Sequence, residues 1–183
     1  MLVSGTGSLL QNILDNQSDN YRVVKVVADV DCYGIERANA AGVPTEIVAL
    51  GADRDAWNEA LVSAVGEPDV VVSAGFMRIL GQKFLQKFEG KTINTHPALL
   101  PAFPGAHGVR DAMAYGVKVT GSTVHFVDAG VDTGKIIAQQ PVAIRHDDTE
   151  ETLHERIKEV ERRLIVDVLN AAVVDGDTIT INL

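Results

Sequence analysis

At 183 residues, with 46% apolar and 22% charged side chains, the chain has the size and composition of one globular domain. Its net charge of -9 argues against a general nucleic-acid binder, whose footprint is basic. A single cysteine, Cys32, precludes an internal disulfide and fits a reducing, cytoplasmic setting. No apolar stretch approaches the ~20 residues of a membrane span, and no signal-peptide pattern opens the chain.

The predicted elements begin with a puzzle. A first strand should precede Gly5, yet only Met1-Leu2-Val3 is available, so either the strand is very short or the chain starts further upstream. Ser4-Gly5-Thr6-Gly7-Ser8 leads into a helix over 9–14. Residues 23–28 and 70–74 are short, nearly continuous β-branched runs, the pattern of buried parallel strands. A weaker strand over 45–50 lies between them, and helical patterns fill 34–41 and Arg54–Val65. Residues 92–94 read as a further strand end. The second half alternates in period two over 120–127, and 136–144 follows after a glycine-containing loop, which suggests an antiparallel extension. A long helix is predicted from Asp148, with Asp148 and Glu151 as a capping pair, to about residue 174, ending at Gly176. The fold expected is α/β. It is a Rossmann-like open twisted sheet, mostly parallel in its N-terminal half, with an antiparallel extension and a long C-terminal helix, all in one domain over 1–183.

Four segments could carry chemistry. In the first, the glycines of Gly5-Thr6-Gly7 let backbone N–H groups approach a ligand, and the following helix N-terminus favours an anion. A tight strand–helix turn explains the same residues, and so does a dinucleotide fold. In that fold Asp29 would be the ribose-binding acid, but Leu10 falls where the third glycine belongs. In the second, Asn94-Thr95-His96-Pro97 leaves the end of a parallel strand, where open α/β sheets bind ligands. Asn94 and His96, two apart, share a face, and an amide beside an imidazole can stabilise an oxyanion and move a proton. In isolation an Asn-x-His is more often an ordinary proline-rich loop. In the third, Asp128-Ala129-Gly130-Val131-Asp132-Thr133-Gly134 reads as a turn from which Asp132 could reach a site. In the fourth, Glu161 falls in the apolar sector of the long helix, a costly place for a carboxylate without a partner or a polar ligand. Lys158 is its i,i+3 neighbour. No histidine or cysteine has zinc-ligand spacing, so no metal is expected, and Cys32 reads as a buried, inert thiol.

Taken together, these segments resemble one family. The glycine loop, Ala74-Gly75-Phe76-Met77-Arg78-Ile79-Leu80, Asn94-Thr95-His96-Pro97 through Gly105, and Val131-Asp132-Thr133-Gly134 follow the order seen in phosphoribosylglycinamide formyltransferases, from residue 2 to about 176. The Asn-x-His-Pro and the later Asp are shared by the wider folate-dependent formyltransferases. The glycine loop and Gly-Phe-Met-Arg-Ile-Leu narrow the resemblance to this branch.

The resemblance implies formyl transfer from 10-formyltetrahydrofolate to the amine of glycinamide ribonucleotide. It implies Asn94, His96 and Asp132 as the catalytic trio. It implies Gly7, Ser8 and Leu9, with Lys158 and Glu161, as contacts to the ribonucleotide. Arg54, Met77, Arg78, Ile79, Leu80, Asn94, Asp128, Ala129, Gly130, Val131 and Asp132 would meet the folate, with the side chains of Ile79 and Leu80 covering the pterin face. Three residues depart from the pattern: Leu9 replaces a common Asn, Val109 a second His, and Lys135 a common Pro. Neither nucleic acid nor membrane is an expected partner, and a homodimer is the assembly considered. Formyltetrahydrofolate hydrolase and methionyl-tRNA formyltransferase are the related alternatives; the first has a longer chain with an extra N-terminal domain and lacks this glycine loop, and the second needs a basic tRNA-binding domain for which this acidic chain has no room.

Overall fold

The computed structural model describes residues 1–176 and 178–183. In chain order its elements are β1 (Leu2–Val3), α1 (Ser8–Asp15), β2 (Val26–Ala28), α2 (Tyr33–Ala40), β3 (Thr45–Ile47), α3 (Arg54–Val65), β4 (Val71–Ser73) and α4 (Gln82–Lys87). Then come β5 (Thr92–His96), α5 (Gly108–Tyr115), β6 (Val119–Phe126), β7 (Ile136–Ala143), α6 (Glu150–Asn170), β8 (Ala172–Asp175) and β9 (Thr178–Ile181). A seven-stranded sheet runs in the order β3-β2-β1-β4-β5-β6-β7, parallel from β3 to β5 and antiparallel from there to β7. The α/β class and its antiparallel extension thus match the expectation. The strand order reverses between β1 and β4, which opens a crevice at their carboxyl ends.

Period-two alternation sorts the strand side chains onto two helical layers. Leu2, Val27 and Val71 pack with Trp57 and Leu61 of α3, Phe84 of α4 and Phe88 just after it. Val3, Val26, Ala28 and Val72 face the other way, onto Leu10, Ile13, Ile165 and Val168 of α1 and α6. Full burial of a large apolar side chain stabilises by roughly 1.5–3 kcal/mol, so both layers are tightly specified. β1 has two residues and registers with Val27 and Ala28 of β2 on one side and with Ser73 of β4 on the other. β2 is accordingly confined to Val26–Ala28 instead of the expected 23–28.

The last segment differs from its prediction. α6 begins after Thr149, whose side chain accepts from the Thr152 N–H while the Thr152 hydroxyl accepts from the Thr149 N–H. Asp148 sits one residue outside this capping box and braces it, accepting from the Thr152 hydroxyl (3.1 Å) and the Arg145 N–H (2.7 Å). α6 stops at Asn170, and residues 172–175 form a hairpin with Thr178–Ile181. Val173-Val174 and Thr-Ile-Thr-Ile are β-branched, and Gly176 at φ 58° serves the hairpin turn instead of closing a helix. The sequence pattern predicts neither of the short helices α4 and α5. Cys32 precedes α2 and is only half-buried, not enclosed as expected. Among the described residues no helix is long and apolar enough to cross a membrane.

Candidate active site

β5 ends in Asn94-Thr95-His96, and alternation turns the first and third side chains into the crevice. His96 is 3% exposed. Its Nε2 lies 2.7 Å from the Phe103 carbonyl, and its Nδ1 lies 3.3 Å from Asp132 Oδ2. Two oxygen acceptors therefore flank the ring, an arrangement that an imidazolium satisfies on both sides. Gly108 makes room for it: a Cβ there would stand 3.0 Å from His96 Nε2 and 3.1 Å from the Phe103 carbonyl oxygen.

Asp132 sits in the β6–β7 turn with φ 55°, an uncommon backbone for a residue with a Cβ. Its Oδ2 accepts from the Gly105 N–H at 2.7 Å, which pins it beside His96. The turn is braced by Asp128 Oδ1, which accepts from the Gly130 N–H (3.0 Å) and the Thr133 hydroxyl (2.7 Å).

A second imidazole, absent from the sequence reading, stands here. His125 of β6 pairs with Asn94 across the ladder, and its Nε2 is 3.6 Å from Asp132 Oδ1. Its Nδ1 lies 2.9 Å from the Phe126 carbonyl, and Nε2 is buried without a partner. Burial pushes the His125 pKa down, opposed by the Phe126 hydrogen bond and the Asp132 charge. Only the β5–β6 register brings His125 to the trio, and no local motif encodes that register.

The glycine loop lies on the other side of the crevice. Gly7 has φ 66°, and a Cβ on it would come within 2.6 Å of the Gly34 Cα, so close approach of α1 to α2 also demands glycine. Arg37 Nε donates to the Thr6 carbonyl at 2.8 Å and fixes the loop. No side chain caps α1, which leaves its first-turn N–H groups without intrahelical acceptors. Leu9 puts its side chain into the core, so its main chain is what it can offer a ligand.

From α6, Lys158 and Glu161 line the same crevice. Lys158 pairs with Glu155 at 2.7 Å, not with Glu161. Burial pushes the Glu161 carboxyl up, opposed first by the nearby Thr95 hydroxyl and then by the charges of Arg162 and Lys158.

The third wall is the loop 75–80 after β4. Met77 and Ile79 are exposed there, at 78% and 67%. Leu80 is 7% exposed and packs with the α3/α4 core, so its side chain cannot cover a ligand as expected; Met77 is the second exposed apolar side chain. The three walls enclose a cavity of about 610 Å³, lined by every expected site residue except Arg54 and Ala129. Arg54 instead donates to the Ile79 carbonyl at 2.8 Å and so supports the loop from behind.

A family model described as formyl transferase matches residues 1–169. The chain belongs to the formyl transferase family. It is 58% identical over 185 aligned residues to the phosphoribosylglycinamide formyltransferase of Mycobacterium tuberculosis, covering 98% of this chain and 86% of that protein. It is 40% identical to part of the human trifunctional purine biosynthetic protein adenosine-3, covering 90% of this chain and 17% of that protein. Among solved structures, glycinamide ribonucleotide transformylase 1 from Symbiobacterium toebii is 40% identical with a TM-score of 0.88, covering 98% of this chain and 91% of that one.

Proposed function

We propose that this formyl transferase moves a formyl group from 10-formyltetrahydrofolate to the amine of glycinamide ribonucleotide, a step of purine biosynthesis. One observation carries the reading: a single cavity joins the uncapped N-terminus of α1 to Asn94, His96 and Asp132. A phosphate suits the free N–H groups of Ser8 and Leu9, with Lys158 as a nearby cation. Glu161 suits the ribose hydroxyls. Such a substrate would present its amine at the end of β5. The exposed Met77 and Ile79 side chains and the backbone of 78–80 suit the flat, polar-edged pterin. Asp128 to Asp132 would close the folate side.

The folate supplies an activated formyl carbon. The amine attacks that carbon, and a C–N bond forms as negative charge grows on the formyl oxygen. The Asn94 amide donates to this oxygen, and protonated His96 adds positive charge beside it. The Asp132 carboxylate complements the imidazolium and takes the amine proton, directly or through one water. The bond between the formyl carbon and the folate nitrogen then breaks, and the proton ends on that nitrogen. Alignment of the two substrates and the oxyanion site supply most of the rate, with no covalent enzyme intermediate.

Residues 1–183 act as one domain on this reading, in the cytoplasm, without nucleic acid or membrane. The dinucleotide alternative is disfavoured because Asp29 is 2% exposed and engaged by Arg78, out of reach of a ribose. A coupled assay with 10-formyltetrahydrofolate and glycinamide ribonucleotide tests the proposal. Formylglycinamide ribonucleotide and tetrahydrofolate should appear together. Folate turnover that runs equally fast without the amine would replace this reading with the hydrolase one.

A further inference from the structure

We infer that Asp29 is a positioning residue for the folate-side loop: it grips Arg78 from beneath and so fixes residues 75–80 in their receiving shape. The inference rests on the proposal that this loop meets the folate. Asp29 follows β2 and is 2% exposed, and its Oδ2 accepts from Arg78 Nε at 2.5 Å. Its Oδ1 is buried with no hydrogen-bond partner. A carboxylate withdrawn this far and only partly satisfied is a poor device for stability. Residues 26–28, which lead to it, are wholly apolar, so burial alone does not explain a charge there. Arg78 is 37% exposed and lines the cavity, so the pair links the floor of the sheet to the ligand side.

The loop needs such a link, because it has no helix or strand of its own between β4 and α4. Three side chains from three elements hold it. Ser4 Oγ, beyond β1, accepts from the Met77 N–H at 2.9 Å, and Arg54, at the start of α3, donates to the Ile79 carbonyl at 2.8 Å. Both of those bonds involve exposed groups that water can replace. Asp29–Arg78 joins two opposite charges with one partner shielded from water, where attraction is strongest. Releasing it frees the residue between the other two tethers.

Steady-state kinetics of the full chain test this. Asp29→Asn keeps the shape and removes the charge. It should raise the KM for 10-formyltetrahydrofolate about tenfold, as loss of a charge-assisted contact does. The ribonucleotide KM and kcat at saturating folate should stay within about twofold. Arg78→Gln should act similarly, and the Asp29→Asn/Arg78→Gln double variant should be no worse than either single one. A purely structural role would lower the melting temperature and leave the folate KM alone, and that result overturns the inference. So do single effects that multiply. Ile79→Ala separates the positioning role of Asp29 from the folate assignment of the loop. If it raises the folate KM while Asp29→Asn does not, only the positioning role falls. If neither moves it, the folate assignment of the loop falls as well.

Discussion

The two sides of the cavity are held by different means. On the side proposed to be catalytic, His96 ends a regular strand, and Asp132 is pinned by a backbone N–H at 2.7 Å. The β6–β7 turn that carries Asp132 is closed by Asp128. On the side proposed to meet the folate, loop 75–80 hangs from Ser4, Asp29 and Arg54 side chains and leaves Met77 and Ile79 in solvent. Reacting groups must sit within a few tenths of an ångström, and backbone bracing provides that. A binding wall has to admit a flat ligand, and side-chain tethers suffice. Damage on the first side should therefore appear in kcat, and damage on the other walls in one KM.

The sharpest way to break that division is Gly108→Ala. Alanine suits the first turn of α5, so the helix should not suffer. The new Cβ would press on His96 Nε2 and the Phe103 carbonyl, at 3.0 and 3.1 Å. Steady-state kinetics should show kcat lowered by about ten- to thirtyfold through misplacement of the imidazole, with both KM values nearly unchanged. Equal loss in both KM values would mean that the two sides are not separable.

Lys158→Ala probes the wall proposed to meet the ribonucleotide. Its present partner, Glu155, is exposed, and such a surface pair contributes only a few tenths of a kcal/mol. The melting temperature should barely move. The ribonucleotide KM should rise by about tenfold, the cost of a charge-assisted phosphate contact. An unchanged KM would return Lys158 to the solvated helix surface.

Glu161→Gln should give the smallest effect, and it is a stability effect. Burial raises the Glu161 carboxyl, so the folded state disfavours its ionised form. The penalty is absent below the unfolded carboxylate range near pH 4.3 and grows as pH rises through the raised folded value. Glutamine removes it. The variant should thus melt higher than the parent at pH 8, and the gain should shrink toward pH 4. A gain that is the same at both pH values would show that the carboxylate is not strained by burial.

Much of this was legible in the sequence where a single local signal decided the structure. α3 has the bounds its pattern implied, because Asp53 caps it and Gly66 closes it. Asn94 and His96 were legible because strand alternation alone puts them on one face. Glu161 was legible because helical register alone puts it inward. The unread parts depend on contacts between distant segments. α4 has six residues and one buried anchor, Phe84, too short a stretch for a period to show. Val173 and Val174 extend an apolar helix pattern as readily as they form a strand, and hairpin pairing with residues 178–181 decides between them. His125 reaches Asp132, and Asp29 reaches Arg78, only through sheet register and a loop that returns over the sheet.

On the proposed mechanism Asp132 acts in the chemical step and not in holding either substrate. Single-turnover formyl transfer by Asp132→Asn, with both substrates saturating, tests it most directly. Asparagine keeps an oxygen for the Gly105 N–H and removes the charge that faces His96. Transfer should be at least about a hundredfold slower, in the range expected for loss of acid–base help, with folate affinity within about threefold of the parent. A normal transfer rate, or a loss confined to folate affinity, would contradict it.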